Sequence, residues 1–142
     1  VTNPRFATAE DAQNAFYAAI EAADLKQMMS IWAQDEGVVC IHPGGTRHSG
    51  LADVRESWRQ IFSHGPQLGF SLVAGESHQG QVLSIHSICE QITHIAGAHP
   101  PASAIATNVF VLSDDGWKML MHHASPIPAE RLQEQSSPSV LH

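Results

Sequence analysis

At 142 residues the chain has the length of one ordinary domain, and a core of that size can bury roughly 70% of the surface that the unfolded chain exposes. Apolar residues make up 43% and charged residues 15%, a balance that excludes a disordered chain or a charge-laced coiled coil. Fourteen acidic against seven basic residues, a formal charge of -7, exclude the clustered Lys and Arg that neutralise nucleic-acid phosphates.

No apolar run approaches the ~20 residues needed to cross a bilayer, so no membrane partner is expected. The polar start, Val1 to Phe6, lacks the apolar region of a secretory signal. Cys40 and Cys89 lie in strand-like apolar stretches and form no CxxC pair. They read as buried thiols of a cytoplasmic protein. Ten histidines outnumber the seven lysines and arginines, and because imidazole titrates near neutrality, their placement is the main functional question.

Thr8-Ala-Glu-Asp11 has the form of a capping box, and apolar residues then recur at Ala12, Ala15, Phe16, Ala19, Ile20 and Ala23, one face of a helix. The many alanines allow another layer to approach closely, while Tyr17 sits on the flank with its hydroxyl able to reach a partner. Asp24 is a second N-cap, followed by Leu25, Met28, Met29 and Trp32 at helical offsets. Val38 to Ile41 is a short strand stopped by His42-Pro43-Gly44-Gly45. Leu51, Val54, Trp58, Ile61 and Phe62 draw a third helical stripe that ends at Gly65-Pro66.

From Leu68 the period becomes extended, with strands expected over 68–74, 82–93, 103–112 and 117–125. Asp114-Asp115-Gly116 suits a three-residue hairpin loop with Gly116 in the left-handed region. Ser113 then faces Trp117, which sets Ala106, Asn108 and Phe110 opposite Ala124, His122 and Leu120. The other face carries Thr107, Val109, Val111, Met119, Met121 and His123. Both faces of the hairpin are largely apolar, so both need cover. Three helices cover one, and the other is expected to join an identical subunit in a homodimer. The expected domain spans 1–128, with a polar, loosely ordered tail over 129–142.

Phe16-Tyr17-Ala-Ala-Ile-Glu-Ala-Ala-Asp24-Leu25, Val39-Cys-Ile-His42-Pro-Gly-Gly, Ser57-Trp58-Arg-Gln-Ile-Phe62, Thr107-Asn108-Val-Phe110 and Asp115-Gly116-Trp117 through Ser125 together resemble the nuclear transport factor 2-like superfamily. The likeness is to its SnoaL-like branch and to the association domain of calcium/calmodulin-dependent protein kinase II. The resemblance implies an α+β fold: a cone-shaped, curved antiparallel or mixed sheet against three N-terminal helices, a cavity between the layers, and dimers through the outer sheet face. At positions that look like the arginines of the kinase domain's anion cavity, this chain has Asn108 and Ala124, so anion binding does not carry over. Cyclases and ketosteroid isomerases of the superfamily use a cavity carboxylate, which Glu90 resembles.

Strand alternation puts Ser84, His86, Ile88 and Glu90 on one face. If that face looks into the cavity, burial raises the proton affinity of Glu90 into the range of a general acid or base. The alternative is a carboxylate that only satisfies Tyr17, Trp58 or a histidine. His122 and His123 point to opposite faces; His122, across from Asn108, is taken as the cavity residue and His123 as an interface residue. Asn108 and His122 are expected to donate hydrogen bonds to a carbonyl or enolate oxygen, with Glu90 as proton carrier. Tyr17, Met28, Trp32, His42, Trp58, Phe62, His86 and Phe110 are expected to line the ligand site, His42 at its mouth. No HExxH, acidic calcium loop or nucleophile elbow occurs, so neither metal nor cofactor is expected. The functional expectation is a protein that binds a small organic ligand. It is an acid/base isomerase, cyclase or dehydratase of a carbonyl-containing or polyketide-like compound, or alternatively a non-catalytic binding or association module.

Overall fold

The two N-terminal helices start at the caps that the sequence provides. The Thr8 hydroxyl accepts the Asp11 N–H at 3.0 Å to open α1 (Ala9–Ala22), and the Asp24 carboxylate accepts the Gln27 N–H at 3.0 Å to open α2 (Leu25–Ile31). A computed structural model describes residues 4–95 and 101–128; the expected tail over 129–142 lies outside the described residues. Strand β1 (Val39–Ile41) turns at His42–Gly45 into β2 (Arg47–Ser49), a short strand that the sequence pattern does not announce. Helix α3 (Leu51–His64) ends as the Gly65 N–H returns to the Ile61 carbonyl at 2.8 Å. A Cβ at Gly65 would lie 2.6 Å from that oxygen, so close approach, not a special φ, demands glycine there.

Four twelve-residue strands complete the fold: β3 (Leu68–Gln79), β4 (Leu83–His94), β5 (Ala102–Ser113) and β6 (Gly116–Ile127). The sheet order is β2-β1-β6-β5-β4-β3, antiparallel throughout except for the parallel β1–β6 pair. This is the expected α+β architecture, an open mixed sheet against three helices. Strand β3 runs past the expected end at Ala74 because a bulge between Val73 and Glu76 takes up the irregularity, with Ala74 at φ +51°; such bulges bend a sheet around what it covers.

The β5–β6 hairpin corrects the expected register near its turn. Gly116 is left-handed at φ +88° as expected, but Ser113 pairs with Gly116 rather than Trp117, and Phe110 therefore faces Met119 rather than Leu120. A second irregularity between Val109 and Phe110 restores the offset, so Asn108 faces His122 and Ala106 faces Ala124 as expected. The consequence is that Met119, expected on the outer face, is turned into the core with Phe110, both fully buried.

Phe16 stands at the centre of that core, its ring 5.0 Å from Tyr17, 5.6 Å from Trp58 and 4.8 Å from His122. The outer face is less covered: Leu83 and Ile85 are exposed, and Val109, Val111 and Met121 are half-buried. Cys40 and Cys89 are buried free thiols. No helix among the described residues is long and apolar enough to cross a membrane.

Candidate functional site

Alternation along β4 turns Ser84, His86, Ile88 and Glu90 toward the helices, and all four are buried. Glu90 and His122 meet at a recess of about 120 Å³ between the sheet and α1 and α3, walled by Ile20, Trp58, Ile61, Leu68, Phe70 and Ile92, with His42 and Pro43 at its side. That volume is small beside the ~300–1,000 Å³ of drug-sized sites, so a ligand of few heavy atoms fits. Among the described residues, no lysine or arginine lines it.

Behind the recess runs a chain of buried hydrogen bonds. The Tyr17 hydroxyl donates to Glu90 Oε2 at 2.5 Å and accepts from Asn108 Nδ2 at 3.1 Å. Asn108 Nδ2 also donates to Gln13 Oε1 at 3.0 Å, and Asn108 Oδ1 lies 2.6 Å from His122 Nδ1. Because that oxygen only accepts, His122 carries its proton on Nδ1, leaving a lone pair on Nε2. Gln13 Oε1 likewise takes the Nδ1 proton of His86 at 3.1 Å, and His86 Nε2 accepts from the Ser84 hydroxyl at 3.0 Å.

These bonds correct the role expected of Asn108. Its amide hydrogens go to Gln13 and Tyr17 and its oxygen to His122, so it has no donor left for a ligand and does not line the recess. With Nδ1 bonded to Asn108, His122 presents an acceptor rather than the expected donor. Asn108 holds His122 and Tyr17 by hydrogen bonds, and the Tyr17 hydroxyl lies between Glu90 and Asn108.

Burial in apolar surroundings raises the Glu90 carboxyl to about 7, against the opposing pull of the Tyr17 hydrogen bond. Burial lowers His122 to about 3, helped by His42 and His123, so the ring is neutral at physiological pH. His42 is lowered to about 4 by burial and then by His48, whose ring lies 5.6 Å away. Ser57 gives its hydroxyl hydrogen to the Val54 carbonyl at 2.8 Å and so accepts from His42 Nε2 at 3.1 Å. Burial pushes the Cys40 thiol up, partly offset by the Trp58 indole N–H, which makes no hydrogen bond to oxygen or nitrogen among the described residues.

The expected ligand-lining residues therefore divide. His42 and Trp58 reach the recess with Glu90 and His122. Met28, Trp32 and Phe110 are fully buried core and do not line it; their helical or strand spacing marked packing, not a ligand wall. Phe62 packs on Trp58 at 5.5 Å and faces a separate depression with Pro66 and Gln67. His86 faces a polar cleft with Glu10, Glu76 and Gln79 on the far side of Gln13. Gln13 was missed; its signal was the i, i+4 offset to Tyr17, which puts both on one flank of α1. His42 and His48 meet, yet no three His, Cys, Asp or Glu among the described residues form a group able to hold a metal.

The chain is similar over 88% of its length to 99% of a solved structure from Thiobacillus denitrificans, provisionally named a calcium/calmodulin-dependent protein kinase type II association domain, at 38% identity and a TM-score of 0.81. A solved structure from Streptomyces avermitilis, provisionally named a dehydratase of the NTF2-like family, shares 32% identity over 83% of this chain and 92% of its own, with a TM-score of 0.77. The F-box protein SKIP8 of Arabidopsis thaliana is 27% identical over 118 residues, 78% of this chain, and the match spans 46% of that curated relative, about half its length. Residues 9–130 match the SnoaL-like domain, and with its open mixed sheet on three helices the chain belongs to that family, within the NTF2-like fold.

Proposed function

We propose that the recess binds a small, neutral, largely apolar carbonyl compound and that Glu90 moves a proton on it, in an isomerisation, cyclisation or dehydration. The observation that carries this reading is a carboxyl group set in a hydrocarbon-walled recess, braced from behind by Tyr17 and facing no lysine or arginine among the described residues. A carboxyl balanced near 7 is divided between acid and base at neutral pH, where general acid–base catalysis is most efficient. Ionised Glu90 takes a proton from the carbon beside the carbonyl and the C–H electron pair moves toward the carbonyl oxygen. The acid then returns the proton to the product carbon in an isomerisation, to a departing β-hydroxyl that leaves as water in a dehydration, or to the oxygen of a second carbonyl that the enolate carbon attacks in a cyclisation. The relative named as a dehydratase supports this class of chemistry.

A thermal-shift screen of ketones, lactones and carboxylates, followed by turnover assays on the stabilising compounds, tests it. Neutral carbonyl compounds are expected to raise the melting temperature, and Glu90→Gln to lower turnover by roughly 10²-fold or more while the melting shift persists. Unchanged turnover in Glu90→Gln overturns the assignment. Stabilisation with no turnover in the wild type leaves a ligand-binding module.

Self-association is the second part of the proposal, favoured by the relative named as an association domain. Leu83 pairs with Val111, and Ile85 with Val109, which pairs with Met121, so an apolar ladder crosses the outer face of three strands. A homodimer that buries this ladder is expected by sedimentation velocity. Ile85→Lys sets like charges against each other across a two-fold axis and is expected to shift the species to monomer; a wild-type monomer at tens of micromolar overturns it.

A further inference from the structure

The buried chain has a direction. From one end, Tyr17 donates to Glu90, Asn108 donates to Tyr17 and to Gln13, and His122 donates to Asn108; from the other, His86 donates to Gln13 and Ser84 to His86. A phenol hydroxyl at 2.5 Å from a carboxylate makes a charge-assisted bond, and that bond sets the sense of all the others while Glu90 is ionised. Two members are primary amides and two are imidazoles. Each amide exchanges donor for acceptor by a half-turn, and each neutral imidazole exchanges the roles of its nitrogens by changing tautomer.

The same six contacts therefore admit a second arrangement. A proton on Glu90 Oε2 donates to the Tyr17 oxygen, and the Tyr17 hydroxyl donates to Asn108, now turned oxygen-first. The Asn108 NH2 then faces His122 Nδ1, which accepts, so the His122 proton resides on Nε2. Gln13 turns as well, donating to Asn108 and to His86 Nδ1, and His86 donates from Nε2 to Ser84. All six contacts are kept, although one Asn108 amide hydrogen and the Ser84 hydroxyl hydrogen give up the acceptors they had, and the protons balance: Glu90 gains one from solvent, while His122 and His86 each exchange an Nδ1 proton for one on Nε2 and stay neutral.

We infer that protonation of Glu90 reverses this chain and converts His122 Nε2 from a hydrogen-bond acceptor into a donor at the recess wall. A proton on the other carboxyl oxygen would keep the original sense, whereas a proton on Oε2, the oxygen that Tyr17 already contacts, reverses it, and the His122 tautomer reports which of the two occurs. The ionised recess then offers two acceptors. The protonated recess, the state that follows proton abstraction by Glu90, offers an imidazole N–H and suits the enolate oxygen so formed. That difference gives the proposed acid/base function a hydrogen-bond donor in the state that holds the enolate; this consequence rests on that function, whereas the coupling itself does not.

Few other charges act on the pair. Facing Glu90 are Tyr17 from α1 and the Cys40 thiol from β1, with uncharged Trp58 from α3, Leu72 and Phe70 from β3, and Ala104 from β5. His122 faces Phe16 from α1, Trp58 from α3, Asn108 from β5 and His42 after β1, and has His123 beside it on β6. At the far end, His86 feels Glu10. Among the described residues, no lysine or arginine lines the recess.

Long-range proton–nitrogen spectra of protein carrying ¹⁵N in its histidine rings distinguish the two tautomers directly, and ¹³C in the glutamate carboxyls follows Glu90. Between pH 8.5 and 5.5 both His122 and His86 are expected to pass from Nδ1–H to Nε2–H with the midpoint of the Glu90 carboxyl, near 7. In Tyr17→Phe the carboxyl still titrates, but the His122 tautomer no longer follows it. In Glu90→Gln, which keeps the shape of the side chain, one tautomer is expected at every pH. If His122 keeps Nδ1–H while the Glu90 carboxyl titrates in the wild type, the inference fails, whichever variants fold. Since neither ligand nor turnover enters the measurement, an absence of catalysis leaves it standing, and a fixed tautomer leaves the catalytic assignment of Glu90 to its own assay.

Discussion

Asn108→Leu is expected to destabilise the fold by about 3–5 kcal/mol, a large part of the ~5–15 kcal/mol that holds a domain of this size together. Leucine fills nearly the same volume, so the cost comes from polar groups left behind rather than from a cavity. His122 Nδ1–H loses its hydrogen bond outright, Tyr17 loses one of two, and Gln13 Oε1 loses one of two. All three residues are buried, and a buried group stripped of its partner keeps its full desolvation penalty. Urea denaturation at pH 7.5 measures this; a loss of under about 1 kcal/mol would mean that the chain is held by packing alone.

Acidification is expected to weaken the protein, and Glu90→Gln to make that weakening steeper. His122 and His42 are held down to about 3 and 4 in the fold against 6.5 in the unfolded chain. Their contribution is fully present above pH 6.5 and is lost as pH falls toward those folded values, because the unfolded chain binds protons that the fold refuses. Glu90 works the other way. Its value is raised from 4.5 to about 7, so its contribution is full below pH 4.5 and is lost as pH rises through 7. Between pH 6.5 and 4.5 two protons favour the unfolded chain and one favours the fold, a net loss of about 1.4 kcal/mol per pH unit and about 3 kcal/mol across the window. In Glu90→Gln the opposing proton is gone, and the slope about doubles. Urea melts of both proteins at half-unit steps check it; equal slopes would place Glu90 outside any shifted titration.

Part of the site is written in local pattern. Period-2 alternation brings Ser84, His86, Ile88 and Glu90 to one face, and the hairpin arithmetic sets Asn108 against His122, because both are consequences of backbone geometry within one or two strands. The same arithmetic fails at Met119, where one extra residue on β6 turns a side chain from the outer face to the core. Met28, Trp32 and Phe110 show the limit of reading aromatics and methionine at regular spacing: the pattern says buried, and only the neighbours say against what.

The amino-acid order by itself determines the three helices, the hairpin with its left-handed Gly116, and the alternation that sets Glu90 on one face with Ser84, His86 and Ile88, since each depends on contacts a few residues apart or across one turn. Which polar atoms are free to meet a ligand is decided only by tertiary structure. Gln13, Tyr17, Glu90, Asn108 and His122 come from four elements, α1, β4, β5 and β6. Hydrogen-bond capacity is finite, and an amide that can donate two bonds has none left for a ligand once two neighbours from distant segments take them.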